Sequence, residues 1–150
     1  MKEDIKEILR EFLDQTEKND HRTNHYPSAY YDLELKVGFG IGRDAKIPWI
    51  AFLGKDQTPQ EGIFPVFYFF KQYNKLILAY GISETKRPKR NWIGILNTKK
   101  IIDYFNDLGI SPHKYHQSYV YEVYSTIKDL DWNKIEMDLD NLITKYKRIA

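Results

Sequence analysis

Ile63-Phe64-Pro65-Val66-Phe67-Tyr68-Phe69-Phe70, then a short polar connection over residues 71–75, then Leu76-Ile77-Leu78-Ala79-Tyr80, is the stretch that decides the fold. An unbroken apolar run of strand length, rich in aromatic and branched residues, belongs near the middle of a sheet, where both faces are covered. The second run answers the first across a connection short enough to make the pair a hairpin.

Working outward, Trp49-Ile50-Ala51-Phe52-Leu53 reads as another strand. Before it, Leu33, Leu35, Val37 and Phe39 alternate with Asp32, Glu34 and Lys36, the period-two signature of a half-buried strand. Ile5, Ile8, Leu9, Phe12 and Leu13 recur at helical spacing, so residues 3–17 form an amphipathic surface helix. Thr98 is placed to cap a helix carrying Ile101, Ile102, Phe105 and Leu108, with Gly109 as its left-handed C-cap. A tyrosine-rich stretch over residues 115–124 follows. Ile135, Leu139, Leu142, Ile143 and Tyr146 then line one side of a last helix that Asp131 caps. Strands clustered between helices give an α+β fold: one domain over residues 1–150, with a mostly antiparallel curved sheet flanked by helices.

The length suits a single core, since 42% of the 150 residues are hydrophobic. With no cysteine there are no disulfides or thiolate metal sites, and a reducing cytoplasm is the expected location. Residues 1–18 mix charge with apolar residues and lack the pattern of a signal peptide, and no run is apolar enough to span a membrane. The net charge of +2 hides an uneven distribution: residues 36–114 hold 13 Lys/Arg against 6 Asp/Glu, a balance of +7, which leaves −5 at the two ends. A basic middle between acidic helices suits a polyanionic partner.

Several constellations invite a chemical reading. Gly38, Gly40 and Gly42 follow a strand, but Pro48-Trp49 opens another strand where a nucleotide site needs a helix. The glycines are better suited to positive φ and to close approach of the backbone to a ligand or a neighbouring chain. Asp32, Glu34 and Lys36 include the E-x-K spacing of metal-dependent nucleases, which would need a further aspartate from an adjacent strand. His21 with His25, and His113 with His116, have spacings that could pair imidazoles on a helix, although neither segment favours one. No Ser/His/Asp arrangement is specific. Aromatic residues make up 15% of the chain. Trp49, Tyr68, Tyr115, Tyr119 and Tyr121 fall beside the glycine loop, the basic 86–90 loop or the polar tyrosine-rich stretch, a mixture suited to holding phosphates while stacking on bases.

The order of motifs is more specific. Tyr26-Pro27, Phe39-Gly40-Ile41-Gly42, Ile47-Pro48-Trp49-Ile50-Ala51-Phe52-Leu53-Gly54, Gly62-Ile63-Phe64-Pro65-Val66, Leu78-Ala79-Tyr80-Gly81-Ile82-Ser83 and Lys114-Tyr115-His116-Gln117-Ser118-Tyr119 follow one another from about residue 26 to 121. Together they resemble the N-terminal DNA-binding domain of McrB-type modification-dependent restriction subunits. The resemblance implies a binding domain that is not itself an enzyme and uses no cofactor or metal. It would rotate a modified cytosine (5-methyl, 5-hydroxymethyl or N4-methyl) out of duplex DNA, fused to a GTP-hydrolysing motor that recruits an endonuclease subunit. Carried over by position, Trp49 and Tyr115 sandwich the base, Phe64 and Tyr68 line the pocket at its C5 substituent, and Ile41 fills the vacated space in the duplex. Gly40, Gly42, Arg43, Lys46, Lys86, Arg87, Lys89, Arg90 and Lys114 are the expected contacts to the DNA backbone. Tyr68 stands where the best-known member has leucine, and Ile41 and Phe64 stand where it has tyrosines. Alternatives of another kind are an E-x-K nuclease, or a reader of single-stranded RNA or of another modified base.

Overall fold

A computed structural model describes residues 4–39, 47–112, 115, 117–125 and 127–149. The order of elements is α1 (Ile5–Lys18), β1 (Ala29–Tyr30), β2 (Leu33–Gly38), β3 (Trp49–Leu53), β4 (Ile63–Phe70), a 3-10 turn (Lys71–Tyr73), β5 (Lys75–Ile82), α2 (Ile101–Asp107), β6 (Tyr119–Tyr124) and α3 (Trp132–Lys147). Among these residues the six strands form one sheet in chain order, and every pair is antiparallel.

The apolar run over residues 63–70 becomes β4, with every residue buried. It pairs with β5 along its full length through the expected hairpin, which turns at Asn74 in the left-handed conformation. Directly paired residues share a face of an antiparallel sheet, so the register sorts the side chains. Phe67, Ile50, Val37 and Leu78 belong to one face, and Tyr68, Trp49, Gly38 and Ile77 to the other. The first face packs with the apolar sides of α1 and α3 in one core that includes Leu9, Phe12, Phe52, Phe67, Leu139 and Tyr146. Each large side chain buried there contributes about 1.5–3 kcal/mol. The Tyr146 hydroxyl ties α3 to the end of β3 by accepting from the Gly54 N–H at 2.8 Å. The second face is partly covered by α2, where Phe105 meets Phe70 with ring centroids 4.8 Å apart. Its remainder carries the pocket described below.

Two expected caps are present: the Asp131 side chain accepts the Lys134 N–H, and Gly109 lies at φ 74°; at the start of α1 the Asp4 side chain accepts the Lys6 N–H. Thr98 does not cap α2. Lys100 is the N-cap and makes no side-chain cap bond; the Ile101 N–H is taken by the Ser118 carbonyl at 2.8 Å. The neighbouring chain segment thus satisfies a donor that a hydroxyl would otherwise serve. Leu108 is also not on a buried helical face, because α2 ends at Asp107 and Leu108 is 51% exposed. Part of the tyrosine-rich stretch forms β6, whose residues before Tyr124 are all only partly buried. A bulge opposite Leu78 and Ala79 leaves Tyr121 out of the pairing, and its ring leans on Tyr80 at 5.5 Å.

Candidate nucleic-acid interface

Two interior-strand glycines shape the pocket face. Gly38 is the cross-strand partner of Trp49, and a Cβ built on it would lie 2.4 Å from Cε2 and Cζ2 of the indole. Gly81 is the partner of Phe64, and its Cβ would lie 2.5 Å from the Phe64 carbonyl oxygen and 2.8 Å from the ring. Each glycine therefore lets an aromatic ring lie down on the sheet where any side chain would hold it off. Gly38 has no positive φ. The close approach expected at the glycine run is made here by an indole of the same chain; Gly40 and Gly42 lie outside the described residues.

Trp49, Phe64, Val66, Tyr68 and Tyr115 line a cavity of about 290 Å³, rimmed by Pro59, Gln60, Ser83, Glu84 and Thr85. The four ring residues expected to act together are thus brought to one pocket. Trp49 and Tyr115 are half-buried, whereas Phe64 and Tyr68 are 3% and 2% exposed. Tyr115 stacks on Tyr68, with centroids 4.2 Å apart and planes at 17°. Among the described residues no ring stacks on the Trp49 indole.

The polar groups behind the rings are satisfied. The Tyr68 hydroxyl lies 3.4 Å from Ser118 Oγ, which also accepts the Ile82 N–H at 3.0 Å. Burial pushes the Tyr68 phenol far above its ordinary range, and it raises Tyr115 to about 12, with the Glu84 carboxylate adding to the second shift. Both rings are neutral at physiological pH.

Glu84 organises the mouth, and nothing in the sequence singled it out. Its carboxylate accepts the Tyr115 N–H at 3.0 Å and the Gln117 N–H at 3.2 Å. It thereby holds Tyr115 at φ 66°, a conformation that costs an L-residue roughly 1–2 kcal/mol. Glu84 is itself anchored through Ser83, whose hydroxyl accepts the Gly62 N–H at 3.0 Å and donates to the Lys86 carbonyl at 2.6 Å. Such a site has the parts to enclose and stack on a flat ring.

The basic loop divides. Lys86 and Arg87 border a groove of about 430 Å³ beside the pocket, together with Asn91, Lys100, Gln117 and Tyr119. Lys89 and Arg90 border a different hollow that also contains Asp56 and Glu61. Ile41, Arg43, Lys46, Lys114, His113 and His116 lie outside the described residues. His21 stacks on Phe39, while His25 turns to Gln15 and Glu11, so this pair does not converge. Among the described residues the E-x-K strand acquires no aspartate: Glu34 and Lys36 face Leu53 and Ala51 across the β2–β3 register, and Asp32 pairs with Lys147 at 2.6 Å. Among the described residues no three histidines or carboxylates are grouped to hold a metal, and no helix is long and apolar enough to cross a membrane.

The fold and pocket define a class: a small α+β domain that presents an aromatic-lined recess on one face of an antiparallel sheet. No protein-family model matches the chain. It is 37% identical, over 98% of its length, to the Type IV methyl-directed restriction enzyme EcoKMcrB subunit of Escherichia coli strain K12. The alignment takes in 33% of that protein, so the chain spans about a third of the relative it matches. Identity of this extent identifies the chain as a relative of one portion of a McrB-type restriction subunit, in agreement with the motif order.

Proposed function

We propose that the chain is a DNA-binding module that reads a modified cytosine flipped into the ring-lined pocket, within a larger McrB-like protein. The observation that carries this reading is the cavity of about 290 Å³ between Trp49, Phe64 and Tyr115, beside a cationic groove. Small-molecule pockets start at about 300 Å³, so a recess of this size suits one flat ring rather than a larger ligand. The Trp49 indole, seated on Gly38, offers one stacking surface, and Tyr115, backed by Tyr68, offers the other.

Extruding a base costs a few kcal/mol, while burying one methyl group yields only about 0.8 kcal/mol. Stacking and phosphate contacts must therefore supply most of the binding, and the methyl group only tips the balance. Phe64, Val66 and Tyr68 line the pocket with apolar surface that rewards a C5 substituent. Ile41 is the proposed wedge and Lys86 and Arg87 are proposed backbone contacts, with Gly40, Gly42, Arg43 and Lys46 from the segment before Trp49 and Lys114 from beside Tyr115. A GTP-hydrolysing motor in the same protein and an endonuclease subunit would convert recognition into restriction in the cytoplasm.

The test is titration, at fixed salt, of duplexes carrying plain, 5-methyl, 5-hydroxymethyl or N4-methyl cytosine, with a fluorescent base analogue reporting extrusion. At least one modification binds several-fold tighter than plain cytosine, and Trp49→Ala removes that preference. Equal affinity for all four duplexes, with no fluorescence change, refutes the reading.

A further inference from the structure

The groove that adjoins the ring pocket contains a cation that the charge count alone does not distinguish. Groove and pocket share Ile82, Ser83 and Glu84 as a common wall. A nucleotide whose base lies among the rings must pass its sugar and phosphate across that wall. The groove lining carries Lys86, Arg87 and Lys100 against Glu84, a balance of 3 − 1 = +2, and the Glu84 oxygens are already engaged by two backbone N–H groups.

The neighbours Lys99 and Lys100 differ sharply. Lys99 is ion-paired with Asp107. The Lys100 ammonium instead donates to the neutral Gln117 side-chain oxygen at 3.0 Å and lies 5.8 Å from the centre of the Tyr119 ring. No described carboxylate lies within ion-pair distance of it. Its backbone is fixed as well: Lys100 bridges to Tyr119, and the flanking groups bond from Ile101 to Ser118 and from Val120 to Lys99, both at 2.8 Å. Gln117 and Tyr119 thus position a charge without neutralising it, which prepares it for an anion.

We propose that this groove is a phosphodiester site for the strand that carries the flipped nucleotide, with Lys100 as its pre-positioned cation. The inference rests on the nucleic-acid reading above.

The experiment compares Lys100→Gln with Lys99→Gln on a duplex containing the preferred modified cytosine, from 50 to 200 mM salt. Duplexes with a single uncharged methylphosphonate linkage at each position around that base complete the set. Losing one phosphate contact flattens the log–log salt slope by about 0.9. Lys100→Gln shows this change and binds roughly 3–10-fold more weakly at low salt, while Lys99→Gln differs from wild type by less than twofold. One methylphosphonate position weakens wild type and leaves Lys100→Gln unaffected, and both variants keep the wild-type melting temperature. If wild type discriminates the modified duplex but Lys100→Gln keeps its slope and affinity, the groove assignment is wrong and the pocket reading survives. Equal losses from the two variants also overturn the assignment, since general charge would then suffice. Failure of wild type to prefer any modified duplex removes the pocket reading itself.

Discussion

Replacing Gly38 by alanine adds one methyl group directly under the ring proposed to stack on the base. The new Cβ would lie 2.4 Å from indole Cε2 and Cζ2 and 2.7 Å from Nε1. These atoms belong to a rigid ring system, so relief requires the whole indole to rotate off the sheet. Overpacking of this kind costs about 1–3 kcal/mol. Gly38 sits in ordinary strand backbone, where alanine restricts the unfolded chain and returns about 0.4–1 kcal/mol. The net expectation is a loss of about 1–2 kcal/mol, which leaves a domain of ordinary stability folded.

A stability loss alone would not implicate the pocket, so Gly94→Ala is the matched control. Gly94 has φ 77° and open space where a Cβ would stand, with no atom within 4 Å, so alanine there strains only the backbone. Urea unfolding followed by far-UV circular dichroism gives both losses, with m unchanged. Near-UV circular dichroism and duplex titration then separate the two variants. Gly38→Ala alters the tryptophan bands and weakens modified-duplex binding about tenfold, equivalent to about 1.4 kcal/mol. Gly94→Ala leaves both unchanged. If Gly38→Ala proves as stable as wild type, with unaltered near-UV bands, the indole does not rest on Gly38 and the account of the pocket floor is wrong.

Two further outcomes follow from the mouth of the pocket. Glu84→Ala frees the Tyr115 and Gln117 amides, whose hydrogen exchange should accelerate about tenfold or more, a change equivalent to roughly one hydrogen bond to a charged group. Unchanged exchange at both would show that the carboxylate does not hold this segment. For Tyr115, burial raises the folded-state value to about 12 from an ordinary value near 10. The neutral phenol is the form the fold favours, so its contribution to stability is complete below pH 10 and is lost as the pH rises from 10 through about 12. The phenolate absorbance titration of wild type minus Tyr115→Phe should have its midpoint near 12; a midpoint near 10 would mean that the ring is open to water and not stacked on Tyr68.

Local pattern was enough wherever one residue's surroundings repeat along the chain. The alternation through Leu33 and Leu35, the apolar run of β4, the helical spacing of Ile135, Leu139 and Leu142 and the capping by Asp131 are consequences of side-chain geometry within single elements. β6 escaped that logic, because five of its six residues are only partly buried and a bulge breaks their alternation. Thr98 misled for a related reason: a cap can be replaced by a distant carbonyl, here that of Ser118.

For the site, the residues by themselves marked aromatic rings beside basic loops, and the family resemblance suggested the roles proposed for Trp49, Phe64, Tyr68 and Tyr115. The use of Gly38 and Gly81 as seats for rings depends on cross-strand register, which places Gly38 against Trp49 and Gly81 against Phe64. The Glu84 clamp joins positions 31 and 33 residues apart. The difference between Lys99 and Lys100 arises because adjacent side chains on the backbone entering α2 point to different neighbours, one to a carboxylate and one to an amide and a ring. Periodicity and composition report how a segment meets water and core; which groups meet one another is set by how the segments pack.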